Sequence, residues 1–160
     1  MTIVMLHHQL THYSNSALVG ENDFDKFVLR NAEDVLKILR KNPQVIMTVS
    51  GHRNISTRYK KDAHLAIFTS PSTMTWPMRY IVFEVDNQKI SYNTYDIDCS
   101  PEVWSEAKKN IMDDKWWHPE NEHPMTPPGN EKFVAFMLSE ATKSDVIELN
   151  SDTKNVLAQK

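Results

Sequence analysis

Two short segments carry the side chains best suited to chemistry, and each closes an apolar run. Ile3, Val4, Met5 and Leu6 stop at His7 and His8, and the run 45–50 stops at Gly51, followed by His52, Arg53 and Asn54. Neutral imidazole is the commonest protein metal ligand, and its ordinary pKa near neutrality also suits it to proton transfer. Two histidine segments therefore suggest a metal centre or a general acid. The competing reading is that His7 and His52 are hydrogen-bonded residues capping two strands. Arg53 offers a planar fork that suits a phosphate, although a lone arginine in a turn is more often simply solvated. His12, His64, His118 and His123 lack the spacing to these segments that a metal would need, and they read as surface residues. Cys99 has no recognisable partner for nucleophilic work and reads as a buried thiol near a turn. Trp116 and Trp117 read as packing anchors.

The elements that must position these histidines follow from periodicity. An apolar run without alternation suits a strand buried on both faces of a sheet, so the first strand, which begins directly after Met1 and Thr2, is expected to be covered on both sides. Residues 9–20 are mostly polar and read as a loop. Asn31 is an N-cap candidate with Asp34 three residues on, and Val35, Ile38 and Leu39 recur at helical spacing. Lys37, Arg40 and Lys41 suit the carboxyl end of that helix, and Pro43 stops it. Strand, helix, strand predicts a right-handed βαβ crossover with parallel strands. The carboxyl ends of both strands then lie on one rim, which brings the pair His7 and His8 to the same edge as the turn 51–54.

Downstream, 65–68 and 79–86 read as strands, and 89–95 pairs with the latter as a hairpin, with Ile90, Tyr92 and Thr94 alternating against Lys89, Ser91 and Asn93. This second group is expected to be antiparallel. Ser100 and Pro101 start a helix reaching Met112, with Val103, Trp104, Ala107 and Ile111 as its stripe. Residues 113–131 form a proline-containing excursion, 133–141 suit either helix or strand, and the tail after Asn150 reads as polar and frayed. The division is thus 1–112 as the organised part and 113–160 as an irregular extension with one further element and a polar tail.

Bulk properties bound the function. With 160 residues, 40% of them hydrophobic, and a net charge of -3, the chain is expected to be one soluble domain with no basic face for nucleic acid. A single cysteine precludes an intrachain disulfide and fits a reducing, cytoplasmic compartment. No run approaches the roughly 18 apolar residues of a membrane span, and the start lacks the pattern of a secretory leader.

V-M-L-H-H-Q-L at 4–10, L-K-I-L-R-K at 36–41, V-I-M-T-V-S-G-H-R-N at 45–54 and S-P-S-T-M-T-W-P-M-R-Y-I-V-F-E-V at 70–85 together resemble the carboxyl-terminal half of a calcineurin-like metallophosphoesterase. The resemblance covers residues 1–95 and implies part of a β-sandwich flanked by helices, with a βαβ unit followed by antiparallel strands. It implies that His7 and His52 bind one metal of a dinuclear centre, with manganese, iron or zinc as the ion, bound weakly or not at all by the isolated chain and with His8 or Asn54 as optional helpers, and that His8, Arg53 and Asn54 line the substrate pocket. The chain departs from the family at Asn54, where the histidine for the second metal is expected, and at Gln9, where proline is usual.

The upstream family motifs D-x-H, G-D and G-N-H are missing. Asp62-Ala63-His64 follows the G-H turn instead of closing a first strand, and Gly129-Asn130-Glu131 lacks the histidine. Two-metal hydrolysis needs both ions to clamp the attacking and departing oxygens. The resemblance therefore implies a truncated or split phosphoester hydrolase, inactive alone, with a separately encoded amino-terminal half as its partner. The alternative is a non-catalytic interaction module that covers its open sheet by self-association, and a third is a small independent hydrolase with a reduced site. None of these implies nucleic-acid or membrane partners.

Overall fold

The two apolar runs that end in histidine are neighbouring parallel strands, β1 (Thr2–Leu6) and β2 (Val45–Ser50). The computed structural model describes residues 1–12, 28–52, 58–113 and 144–159. Between these strands lies α1 (Ala32–Arg40), and after them come β3 (Arg58–Asp62), β4 (Leu65–Thr69), β5 (Arg79–Val85), β6 (Lys89–Asp96), α2 (Pro101–Asp113), β7 (Ser144–Glu148) and α3 (Ser151–Ala158). The fold is mixed α/β. A four-stranded sheet has the order β1-β2-β4-β3, and a three-stranded antiparallel sheet has the order β5-β6-β7. No helix among the described residues is long and apolar enough to cross a membrane.

The first sheet is the central layer. In β4 the side chains alternate cleanly: Leu65 and Ile67 pack with Ala32, Leu36 and Leu39 of α1, whereas Ala66 and Phe68 face Ile90, Tyr92 and Ile147 of the second sheet. A strand clothed on both sides reads as an unbroken apolar run, which is why 65–68 shows no alternation in sequence. Phe68 anchors the inner face, with its ring centroid 4.9 Å from Phe83 and 5.1 Å from Tyr92 in edge-on contacts. Ile46 is an extra residue of β2 between the pairs Thr2–Val45 and Ile3–Met47. This local bulge lets Ile46 and Met47 both enter the inner cluster.

Several expectations are corrected. β4 does not belong to the antiparallel group: it pairs parallel with β2 and antiparallel with β3, a strand that its charged sequence conceals. β1 is not buried on both faces. Among the described residues it is the edge of its sheet, with Ile3 43% and Met5 81% exposed. The inward stripe of α1 is Ala32, Val35, Leu36 and Leu39, while Ile38 lies roughly a third of a turn away and is exposed. Asn31 holds the cap position through its carbonyl, which accepts from the N–H groups of Asp34 and Val35, each at 3.1 Å. Gln9 and Leu10, read as loop, are buried, and the Gln9 carbonyl accepts from Leu29 N–H at 3.0 Å.

On α2, Val103 and Trp104 stay exposed, with Trp104 edge-on to the buried Trp76 at 5.8 Å. Cys99 is half-buried. The excursion from 114 onward, with Trp116, Trp117, His118 and His123, and the stretch 133–141 lie outside the described residues.

The end of the chain is not a frayed tail. β7 completes the second sheet by pairing with β6, and Leu149 and Leu157 join the inner cluster. The Asn150 side chain accepts from Thr153 N–H at 2.9 Å and so caps α3. Replacing this cap, Asn150→Ala, is expected to lower stability by about 1 kcal/mol, read as a lower urea midpoint with unchanged slope.

At the β5–β6 hairpin, Asp86 accepts from the N–H groups of Gln88 and Lys89, at 2.7 and 2.9 Å, which holds its carboxyl below the ordinary value of 3.8. A lowered folded value stabilises the fold above the unfolded pKa, and that contribution is lost as pH falls through the folded value. Asp86→Asn should therefore show a smaller drop in urea midpoint between about pH 5 and about pH 2 than the parent chain.

Candidate metal centre

Parallel pairing decides what meets at the rim. Leu6 and Ser50 are the last partners of β1 and β2, so the residues after them emerge side by side. Gly51 N–H donates to the His7 carbonyl at 3.2 Å, which ties the two exits together. The platform beneath is fixed by β4, because Ser50 Oγ donates to the Phe68 carbonyl at 3.1 Å and Ser70 N–H donates to the Ser50 carbonyl at 2.7 Å.

On this rim His52 Nδ1 lies 2.8 Å from His7 Nε2, a hydrogen bond in which one ring donates and the other accepts. The His8 ring joins them, with centroids 4.9 Å from His7 and 4.4 Å from His52, while His7 and His52 are 4.7 Å apart. One nitrogen from each ring lies within 4.8 Å of the others, and this is the cluster of potential ligands found among the described residues. His7 is exposed, and His8 and His52 are half-buried.

These separations can be set against what an ion requires. Zinc–nitrogen bonds of about 2.0–2.1 Å at tetrahedral angles place neighbouring nitrogens about 3.3 Å apart. The His7–His52 pair, hydrogen-bonded at 2.8 Å, is closer than that spacing, so an ion would replace the hydrogen bond and part the two nitrogens. The widest separation, up to 4.8 Å, would have to close by rotation of the imidazoles, of which His7 is exposed and His8 and His52 are half-buried.

The backbone at the turn is unusual in one respect. His52 has a φ of 64°, in the left-handed region that glycine occupies at little cost, whereas Gly51 has no such φ and a methyl group there would meet nothing within 4 Å. An imidazole thus sits where glycine would be less strained. Strain kept at a specific side chain points toward function.

Of the residues singled out in the sequence, His7, His8 and His52 come together, and Arg53 and Asn54 lie outside the described residues. His64 is elsewhere. It precedes β4, at the opposite end from the rim, and its Nε2 bonds the Asn42 carbonyl at 3.3 Å. Asp62 accepts from Arg40 Nε at 3.0 Å and Nη2 at 2.6 Å, so Asp62-Ala63-His64 braces α1 against the β3–β4 turn. That pair, with Glu33 at 2.7 Å, raises the Arg40 pKa above its ordinary value.

The proximity of His8 to His52 is the feature that reading the chain residue by residue obscures. Adjacent residues in a strand point to opposite faces, but β1 ends at Leu6, so the rule no longer separates His7 from His8. The histidine doublet directly after a strand end is the signal.

Compared with known protein families, curated proteins and solved structures, the chain matches none. Strain at the turn gives a test independent of any relative. His52→Gly should change the stability of the metal-free chain by less than about 1 kcal/mol, because relief of the left-handed backbone is offset by glycine's entropy and by loss of the hydrogen bond to His7. Gly51→Ala should be neutral or slightly stabilising, because its site is open. Thermal melts of the two variants beside the parent check both outcomes.

Proposed function

We propose that this rim is the metal-binding edge of a phosphoester-hydrolase-type domain, one that retains part of a dinuclear centre and is inactive by itself. The observation that carries this reading is the 2.8 Å approach of His52 Nδ1 to His7 Nε2, at the carboxyl ends of adjacent parallel strands. Open α/β sheets place ligands at that edge. The order of the motifs at 4–10, 36–41, 45–54 and 70–85 supports the same reading through its resemblance to calcineurin-like metallophosphoesterases. His7 and His52 hold the ion, and His8, Arg53 and Asn54 are the substrate-side residues of this reading. A divalent ion there would supply Lewis-acid polarisation of a phosphoryl oxygen. The aspartates needed for a second ion come, in this reading, from a separately encoded amino-terminal half. The single Cys99 accords with a reducing, cytoplasmic location.

One observation favours a second reading, a non-catalytic module that self-associates. The β1 edge exposes Ile3 and Met5, and an apolar edge strand is a template for pairing with another chain. Titration of the purified chain with manganese or zinc, followed by calorimetry with bis-nitrophenyl phosphate hydrolysis and light scattering in the same samples, separates the two. The proposed reading predicts metal binding lost in His52→Ala and no turnover by the chain alone. Absent binding with a stable dimer would replace it by the module, and turnover by the chain alone would contradict the inactive half.

A further inference from the structure

We propose that His8 is a third metal ligand, and that His7, His8 and His52 form a three-imidazole site that this chain fills alone with one zinc-like ion. The inference deepens the reading above and rests on its use of His7 and His52 as ligands. It reassigns His8 from the substrate side to the ion, and it makes the site independent of any second half.

Geometry carries the assignment. The His8 ring centroid is nearer to His52, at 4.4 Å, than the His7 ring is, at 4.7 Å. All three residues offer a nitrogen within one 4.8 Å span. His7 and His8 sit past the end of β1 and His52 past the end of β2, so two paired neighbouring strands deliver all three ligands. Such a site needs little ordering on binding, because the strands already hold the backbone.

Ligand chemistry then selects the ion. Three neutral nitrogens suit zinc, cobalt, nickel and copper, whereas magnesium and calcium require oxygen donors. Among the described residues no carboxylate belongs to the cluster. Three protein ligands leave the fourth tetrahedral position open, the arrangement of catalytic rather than structural zinc. His7 is exposed, so the cluster reaches the surface.

The test uses the untagged full chain, with cobalt(II) absorption and zinc competition against a chromophoric chelator. His8→Ala should weaken zinc binding by more than about tenfold, since even residues that merely orient ligands cost that much, and it should abolish the tetrahedral cobalt spectrum. His7→Ala and His52→Ala should do the same, His12→Ala should change nothing, and excess magnesium should not compete. His8→Gln and a thermal melt of each metal-free variant separate loss of the ligand from loss of the fold. If both His8 variants bind zinc as tightly as the parent while His7→Ala and His52→Ala do not, the third ligand is overturned and the two-histidine reading stands. A parent chain that binds no zinc or cobalt overturns both.

Discussion

Parallel pairing of β1 with β2 is the constraint on which everything at the rim depends. Because Leu6 lies opposite Ser50 as the final pair, the next residues of both strands are held a strand spacing apart, and the Gly51 N–H to His7 carbonyl bond keeps the exits joined. A slip of one residue would send the strand's side chains to the other face and remove His52 from His7. The extra residue Ile46 at the start of β2 helps prevent such a slip, because it seats two consecutive side chains, Ile46 and Met47, in the inner cluster.

Support for that pairing comes from both faces of the central sheet. α1 covers one face through Ala32, Leu36 and Leu39, and the second sheet covers the other through Ile90, Tyr92 and Ile147. β4 is buried along its whole length, so Ser50, which donates to the Phe68 carbonyl and accepts from Ser70 N–H, is tied to a strand that has little freedom to move. The edge strand β1 is the weaker partner, with Met5 almost fully open. Order at the histidine cluster therefore passes from β4 through β2 to the rim, and His7 and His8 depend on β1 staying paired.

Much of this was legible in the sequence where local pattern alone marks an element. The apolar runs at β1 and β2, the helix between them and the short β5–β6 hairpin follow from periodicity and connection length, and together they put the histidine segments on one edge. Elements with little apolar surface were hidden. β3 is Arg58–Asp62 with exposed Lys60 and Lys61, β7 buries only Ile147, and α3 buries only Thr153 and Leu157. Such segments are held by backbone ladders and caps, which leave a faint mark on composition. The closeness of His8 to His52 was hidden for a different reason: alternation within a strand says nothing about side chains just beyond its end.

The central claim, that the rim holds one ion on three imidazoles, is tested most directly by anomalous diffraction at the zinc edge from zinc-soaked crystals of the untagged full chain. The account predicts one strong peak about 2.0–2.1 Å from a nitrogen of each of His7, His8 and His52. A peak that leaves out His8, or the strongest peak at His12 or His64, would contradict it.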